Sequence, residues 1–274
     1  MQNIFSTPRP TSLYVEIGSG DVAVRAEDSD RTVIDVDGKY ADEVLVEQRG
    51  DEIVVIAPKH RAGLFGSQDQ DLRVRATVPT GSELATKLGS ADVTVSGRLG
   101  AARIRTGSGD VRLDDVKDEV VVETGSGDLD IDSAGGELRA KSGSGDITIS
   151  RLGGPGSIST GSGDVQIETA TGPVAVKSGS GDLRVRDARA DVELGTASGD
   201  LHVDRLHRGR LTAKNVSGDI HVGIPAGIPV WTDITSMTGA VSSDLEGAGQ
   251  PAEGEDYIEL RAKTVSGDIT LEQL

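Results

Sequence analysis

The sequence predicts an all-β protein, a right-handed parallel β-solenoid with coils of about 18 residues. Three observations predict it. Asp92, Asp110, Asp128, Asp146, Asp164, Asp182 and Asp200 stand 18 residues apart and Asp219 follows after 19, mostly inside a Ser-Gly-Asp tripeptide; a fixed interval of this kind marks stacked, repeated coils. The residue after each aspartate (Val93, Val111, Leu129, Ile147, Val165, Leu183, Leu201, Ile220) and the one two further on (Val95, Leu113, Ile131, Ile149, Ile167, Val185, Val203, Val222) are aliphatic in every coil. Glycine supplies 37 of 274 residues while aromatics make up 2%, which suits narrow aliphatic ladders joined by glycine turns rather than one wide core.

Each element of a coil follows from these columns. Polar residues such as Arg112, Asp130, Thr148, Gln166 and Arg184 separate the two aliphatic columns, and this period of two predicts a half-buried strand directly after the aspartate. A second strand is expected where Val120 and Val122, Leu138 and Ala140, Val174 and Val176, and Val192 and Leu194 face inward. Large and small residues trade places there, Gly156 beside Ile158 and Leu211 beside Ala213, which keeps core volume constant. A hydroxyl column (Thr106, Thr124, Ser142, Thr160, Ser178, Thr196) then precedes the glycine turn. Stacked in parallel, the coils would repeat every ~4.8 Å with all central strands paired, and parallel crossovers wind right-handed. A stack of antiparallel hairpins with the same period is the structural alternative.

The repeat continues without a linker, so a single elongated β domain over 1–274 is expected, divided into an N-terminal β cap at 1–85, Ser-Gly-Asp coils at 86–222, and a C-terminal cap with closing strands at 223–274. Solenoids need atypical ends because a bare terminal coil exposes strand edges. The first cap carries an early turn, Gly18-Ser19-Gly20-Asp21, and alternating segments such as Thr32-Val33-Ile34-Asp35-Val36. The segment from His60 to Ser67 reads as an exposed, mobile loop. After Val222 the period breaks; Trp231, the sole tryptophan, is expected to plug the last coil, and a polar loop from Glu246 to Asp256 leads back to Tyr257-Ile258-Glu259-Leu260 and Ser266-Gly267-Asp268.

The repeated Ser-Gly-Asp with its aliphatic alternation, the Val78-Pro79-Thr80-Gly81 before the first coil and the Gly227-Ile228-Pro229-Val230-Trp231 before the last Ser-Gly-Asp together resemble the bacterial putative-adhesin, or toast-rack, family of domains of unknown function. The resemblance extends over almost the whole chain. It implies a β-solenoid with an adhesin-like, envelope-associated role and brings no catalytic residues with it.

Charge and motifs narrow the function. A net charge of -17 opposes binding to nucleic acid or anionic lipid, and basic residues form no large patch. No apolar run approaches a membrane span and the N-terminus lacks a basic start followed by an apolar stretch, so a cytoplasmic location is expected. Cysteine is absent, which excludes thiolate chemistry. Phosphate-loop, nucleophile-elbow and His-Glu-x-x-His motifs are absent.

The aspartate column admits two readings. Asp110, Asp128, Asp146, Asp164, Asp182 and Asp200 are candidate calcium ligands, since calcium takes oxygen donors and calcium β-rolls use glycine-aspartate repeats of half this period; here, however, the aspartate follows glycine directly and on one side only. The structural reading has each aspartate accept from nearby backbone N–H groups and fix its turn. Equivalence argues against catalysis, because a glycosidase needs two carboxylates in unlike environments; a carbohydrate-active β-helix enzyme is the second alternative. His202 and His221 share an outward column and could meet a transition metal. The expected function is a non-catalytic scaffold or adhesin-like interaction module without cofactor, whose partner is a protein or polysaccharide surface.

Overall fold

The computed structural model describes residues 1–58, 71–247 and 257–274. It is all-β, without an α-helix among the described residues. The expected loop from His60 to Ser67 lies outside the described residues, as does the expected polar loop beyond Gly247. The chain divides into two compact units, Met1–Gly136 and Glu137–Leu274.

In the first unit the parallel stacking reaches back to the early Ser-Gly-Asp. The strand Ser12–Glu27 runs parallel to Glu83–Leu99 with Ile17 opposite Leu88, Asp21 opposite Asp92 and Val22 opposite Val93. Glu83–Leu99 then pairs with Ala102–Ser108 and Val111–Val116, and these pair with Val120–Ser126 and Leu129–Ala134. On the opposite edge, Ser12–Glu27 is met by two shorter strands, Glu52–Ile56 and Asp71–Pro79. Antiparallel strands close this end: Arg31–Asp37 against Asp71–Pro79, Gln2–Ser6 against Arg31–Asp37, and Leu45–Arg49 against Glu52–Ile56. A change of strand direction ends the repeat there.

The second unit holds two parallel ladders. One stacks Leu138–Ser144, Gly156–Ser162, Val174–Ser180, Val192–Ser198 and Gly209–Lys214. The other stacks Ile147–Leu152, Val165–Ala170, Leu183–Ala188, Leu201–Leu206 and Ile220–Ile224. Parallel pairing of the Ser-Gly-Asp coils within each unit removes the antiparallel-hairpin alternative for them. Both predicted aliphatic columns are buried, Ile149 and Ile167 at 0% exposure.

A third buried column was not read from the sequence. It consists of Val116 and Ala134 in the first unit and Leu152, Ala170, Ala188 and Leu206 in the second. Each member lies three residues beyond the second column, off the strict alternation, at the end of its strand. Its sizes compensate its neighbours. A Cβ placed on Gly156 would lie 2.6 Å from Leu152 Cδ2, so Leu152 fills the space that Gly156 leaves open, whereas the next coil combines Ala170 with Val174. With Leu152 in this place, a side chain at 156 would overlap it, so in this coil the large residue sits at 152 and the small one at 156.

The C-terminal segment departs from sequence order. Ile258–Thr264 lies between Gly209–Lys214 and Val230–Ser236, and Ile269–Gln273 lies between Ile220–Ile224 and Val241–Ser243. The last part of the chain therefore supplies the next regular coil, and residues 230–243 form the edge. Trp231 is not the expected plug. It is 54% exposed, because its register partner is the outward Glu259 while the inward flanking pairs fall on Ile258 and Leu260.

Candidate functional site

The aspartate column is continuous within each unit and its chemistry is specific. Asp92 Oδ1 accepts from the Asp110 N–H at 2.9 Å and Asp110 Oδ1 from the Asp128 N–H at 3.0 Å. In the second unit, Asp146, Asp164, Asp182 and Asp200 accept from the next aspartate's N–H at 2.8–2.9 Å. The ladder then crosses 49 residues of sequence, Asp219 Oδ1 accepting from the Asp268 N–H at 2.8 Å. It ends where Asp268 Oδ1 accepts from Ala240 at 2.8 Å, since the edge coil carries Gly239-Ala240 in place of Gly-Asp. The expected turn bond therefore exists, but it joins one coil to the next rather than closing its own turn. A charged acceptor shortens and strengthens such a bond.

Glycine makes the approach possible. At Gly163, φ is +112° and an added Cβ would lie 2.3 Å from the Gly145 carbonyl oxygen of the adjacent coil. Side chains avoid that backbone region and that distance alike. The hydroxyl column closes the turn locally: Thr106, Thr124, Ser142, Thr160, Ser178 and Thr196 each donate to the carbonyl two residues on, at 2.7–2.9 Å. In the longer coil Asn215 takes this place, its Nδ2 donating to Gly218 O at 2.7 Å. A carboxamide at that position was not anticipated, although its place just ahead of Ser217-Gly218-Asp219 was the available signal.

The other sequence candidates are surface features. Arg105 and Glu123 meet across coils at 3.1 Å. The His202 and His221 rings stand 6.1 Å apart, and His221 Nε2 lies 3.2 Å from Glu272. Among the described residues no group of three or more His, Asp or Glu side chains could hold a metal, and no helix is long and apolar enough to cross a membrane.

Electrostatic perturbation gathers elsewhere, on the outer face of the second unit. Arg189 grips Asp187 at 2.9 Å and Arg210 grips Glu259 at 2.8 Å. The hydrogen bond from Arg189 holds the Asp187 carboxyl below its ordinary range against a smaller opposing effect of burial. The bond from Arg210 does the same to Glu259. The sequence hid this grouping because Arg210 and Glu259 are 49 residues apart.

A model of the Toastrack DUF4097 family matches residues 11–171 and 117–272. No curated protein matches the sequence. Among solved structures, a putative cell adhesion protein from Clostridium sporogenes is similar at 12% identity over 100% of this chain and 99% of that one, with a TM-score of 0.27. A putative adhesin from Bacteroides fragilis is similar at 9% identity over 100% and 96%, with a TM-score of 0.34. A further putative adhesin, from Parabacteroides merdae, is similar at 12% identity over 100% and 95%, with a TM-score of 0.30.

Proposed function

The chain belongs to the Toastrack DUF4097 family, and from that premise we propose that it serves as a non-catalytic, adhesin-like interaction module, its coils a scaffold for a surface that binds a protein or polysaccharide partner. One observation carries the reading: the regular aspartates are engaged in architecture. Every ladder carboxylate whose bond is described gives Oδ1 to the adjacent coil at 2.8–3.0 Å, and equivalent positions provide no pair of carboxylates with divided acid and base roles. What varies from coil to coil is the outward face, where recognition can differ without disturbing the fold.

The test is direct binding by the purified chain to immobilised bacterial surface polysaccharides and to cell-surface protein extracts, with a scrambled-surface variant of equal stability as control. Saturable retention that the control lacks supports the reading. Turnover of a polysaccharide by the purified chain, abolished by a carboxylate-to-amide substitution, would replace it with an enzymatic one.

A further inference from the structure

The aspartate interval changes from 18 to 19 once between Asp92 and Asp219, in the coil that leads to Asp219. The extra residue can be placed. Ala188 pairs with Leu206 and Val192 with Leu211, so the four-residue step of one coil becomes a five-residue step, Leu206 to Leu211, in the next. This widened turn holds Arg208, Gly209 and Arg210, and it forms one wall of a cleft of about 520 Å³ also lined by Arg189, Tyr257 and Glu259. In a repeat this strict, an inserted residue beside a cleft marks a departure from the architectural pattern.

The cleft has the composition of a recognition site. Its lining carries three arginines against two carboxylates, Asp191 and Glu259, a locally positive balance in a chain of net charge -17. The guanidinium groups are held in place: Arg189 by Asp187, Arg210 by Glu259, and Arg208 by donating Nε–H to the Arg189 carbonyl at 2.9 Å. Holding them reduces the conformational entropy that a ligand must otherwise cost. The opposing carboxylates are engaged too, Asp191 accepting from the Arg210 N–H at 2.9 Å and Glu259 gripped by Arg210 and Arg261.

The second unit contains two aromatic residues, Trp231 and Tyr257, and both are 54% exposed. Tyr257 lines it. Trp231 is the register partner of Glu259, and the Arg261 guanidinium lies 5.7 Å from its ring centre. Exposed rings offer flat apolar faces for the C–H face of a sugar, and arginine forks fit a carboxylate bidentately.

We propose that this cleft binds an acidic saccharide, with the carboxylate of a uronic-acid unit held by Arg208 and its neighbours and a pyranose ring stacked on Tyr257, Trp231 extending the platform to an adjoining sugar. The site rests on the reading of the chain as an interaction module and names the partner's chemistry. The widened turn, the three arginines and Tyr257 line one cleft, and Trp231 stands in register with its Glu259 on the neighbouring strand.

The test is a titration of the isotope-labelled full-length chain with trigalacturonic acid, followed by amide chemical shifts. Neutral galactotriose and a sulfated galactose trisaccharide serve as parallel arms. The expected result is saturable shifts at Gly209, Arg210 and Tyr257 with the uronate. Affinity for the neutral sugar should be at least tenfold weaker, about 1.4 kcal/mol, the sulfated sugar should also bind more weakly than the uronate, and added salt should weaken the uronate complex. Arg208→Gln and Tyr257→Ala should each lose at least tenfold while the melting midpoint stays within about 2 °C of wild type. Equal binding of acidic and neutral sugars, stronger binding of the sulfated one, shifts confined to another face, or full affinity in both folded variants would each overturn the site. If wild type and both variants retain a surface polymer alike, the interaction reading stands and the cleft assignment falls.

Discussion

Replacing Gly163 with alanine should be among the most damaging single-methyl changes available in this chain. The φ of +112° at Gly163 is one that an L-residue adopts only under strain, and the new Cβ would sit 2.3 Å from the Gly145 carbonyl oxygen and 2.8 Å from the attached carbon. Ordinary contact begins near 3.4 Å, so the coils must separate by about 1 Å at the turn or the backbone must flip. Backbone strain costs about 1–3 kcal/mol and overpacking against rigid backbone about 1–3 kcal/mol more, which sums to about 2–6 kcal/mol.

The neighbouring change Asp164→Asn should be mild. The amide oxygen still accepts from the Asp182 N–H, now at 2.8 Å from the carboxylate. The weaker neutral bond is offset by relief of repulsion between carboxylates about 5 Å apart, roughly 0.8 kcal/mol per neighbour in water. A net effect within about 1 kcal/mol follows. Urea unfolding followed by far-ultraviolet circular dichroism reads both variants. A loss below about 1 kcal/mol for Gly163→Ala, or equal losses in the two variants, would refute the account of the turn.

Three further outcomes are expected. Leu152→Ala and Gly156→Val should each destabilise, the first by a cavity and the second by overlap with Leu152; the double variant copies the Ala170 and Val174 combination of the next coil and should recover about 1 kcal/mol or more relative to the sum of the single losses in a double-mutant cycle. Because Asp187 is held below the ordinary carboxylate range, chiefly by the Arg189 hydrogen bond, its contribution is present above the unfolded-state value near pH 4 and lost as pH falls through the lower folded value. Thermal melts from about pH 5 to about pH 3 should therefore show a falling midpoint, and Asp187→Asn should flatten part of that slope. Melts in millimolar calcium and in chelator should share one midpoint, because a ligand that binds the native state must raise stability; a calcium-dependent rise would assign the carboxylate column to metal.

What could be read in advance was whatever repeats. The two inward columns, the glycine turn and the hydroxyl column each recur at one offset from the aspartate, so a single chain displays them several times over. The third column recurs as well, from Val116 to Leu206, but it breaks the period of two at the strand's end and so escapes an alternation test. Trp231 departs from the expected plug because its orientation depends on the strand it pairs with, and that strand, Ile258–Thr264, arrives later in sequence and inserts beneath it. The cleft was hidden for the same reason. Arg189, Arg210 and Glu259 share no local spacing, and their meeting depends on Asp268 continuing the ladder above Asp219. The aspartates read as turn residues from their glycine neighbours, while the destination of their bonds depends on the register between coils.

Residue-resolved hydrogen exchange tests that destination most directly. In the wild-type chain the Asp182 amide donates to Asp164 Oδ1, whereas the adjacent Leu183 amide donates to the Asp200 carbonyl. In Asp164→Ala the account predicts markedly faster exchange at Asp182 with Leu183 unchanged. Unchanged exchange at Asp182 would contradict the claim that the aspartate ladder stitches each coil to the next.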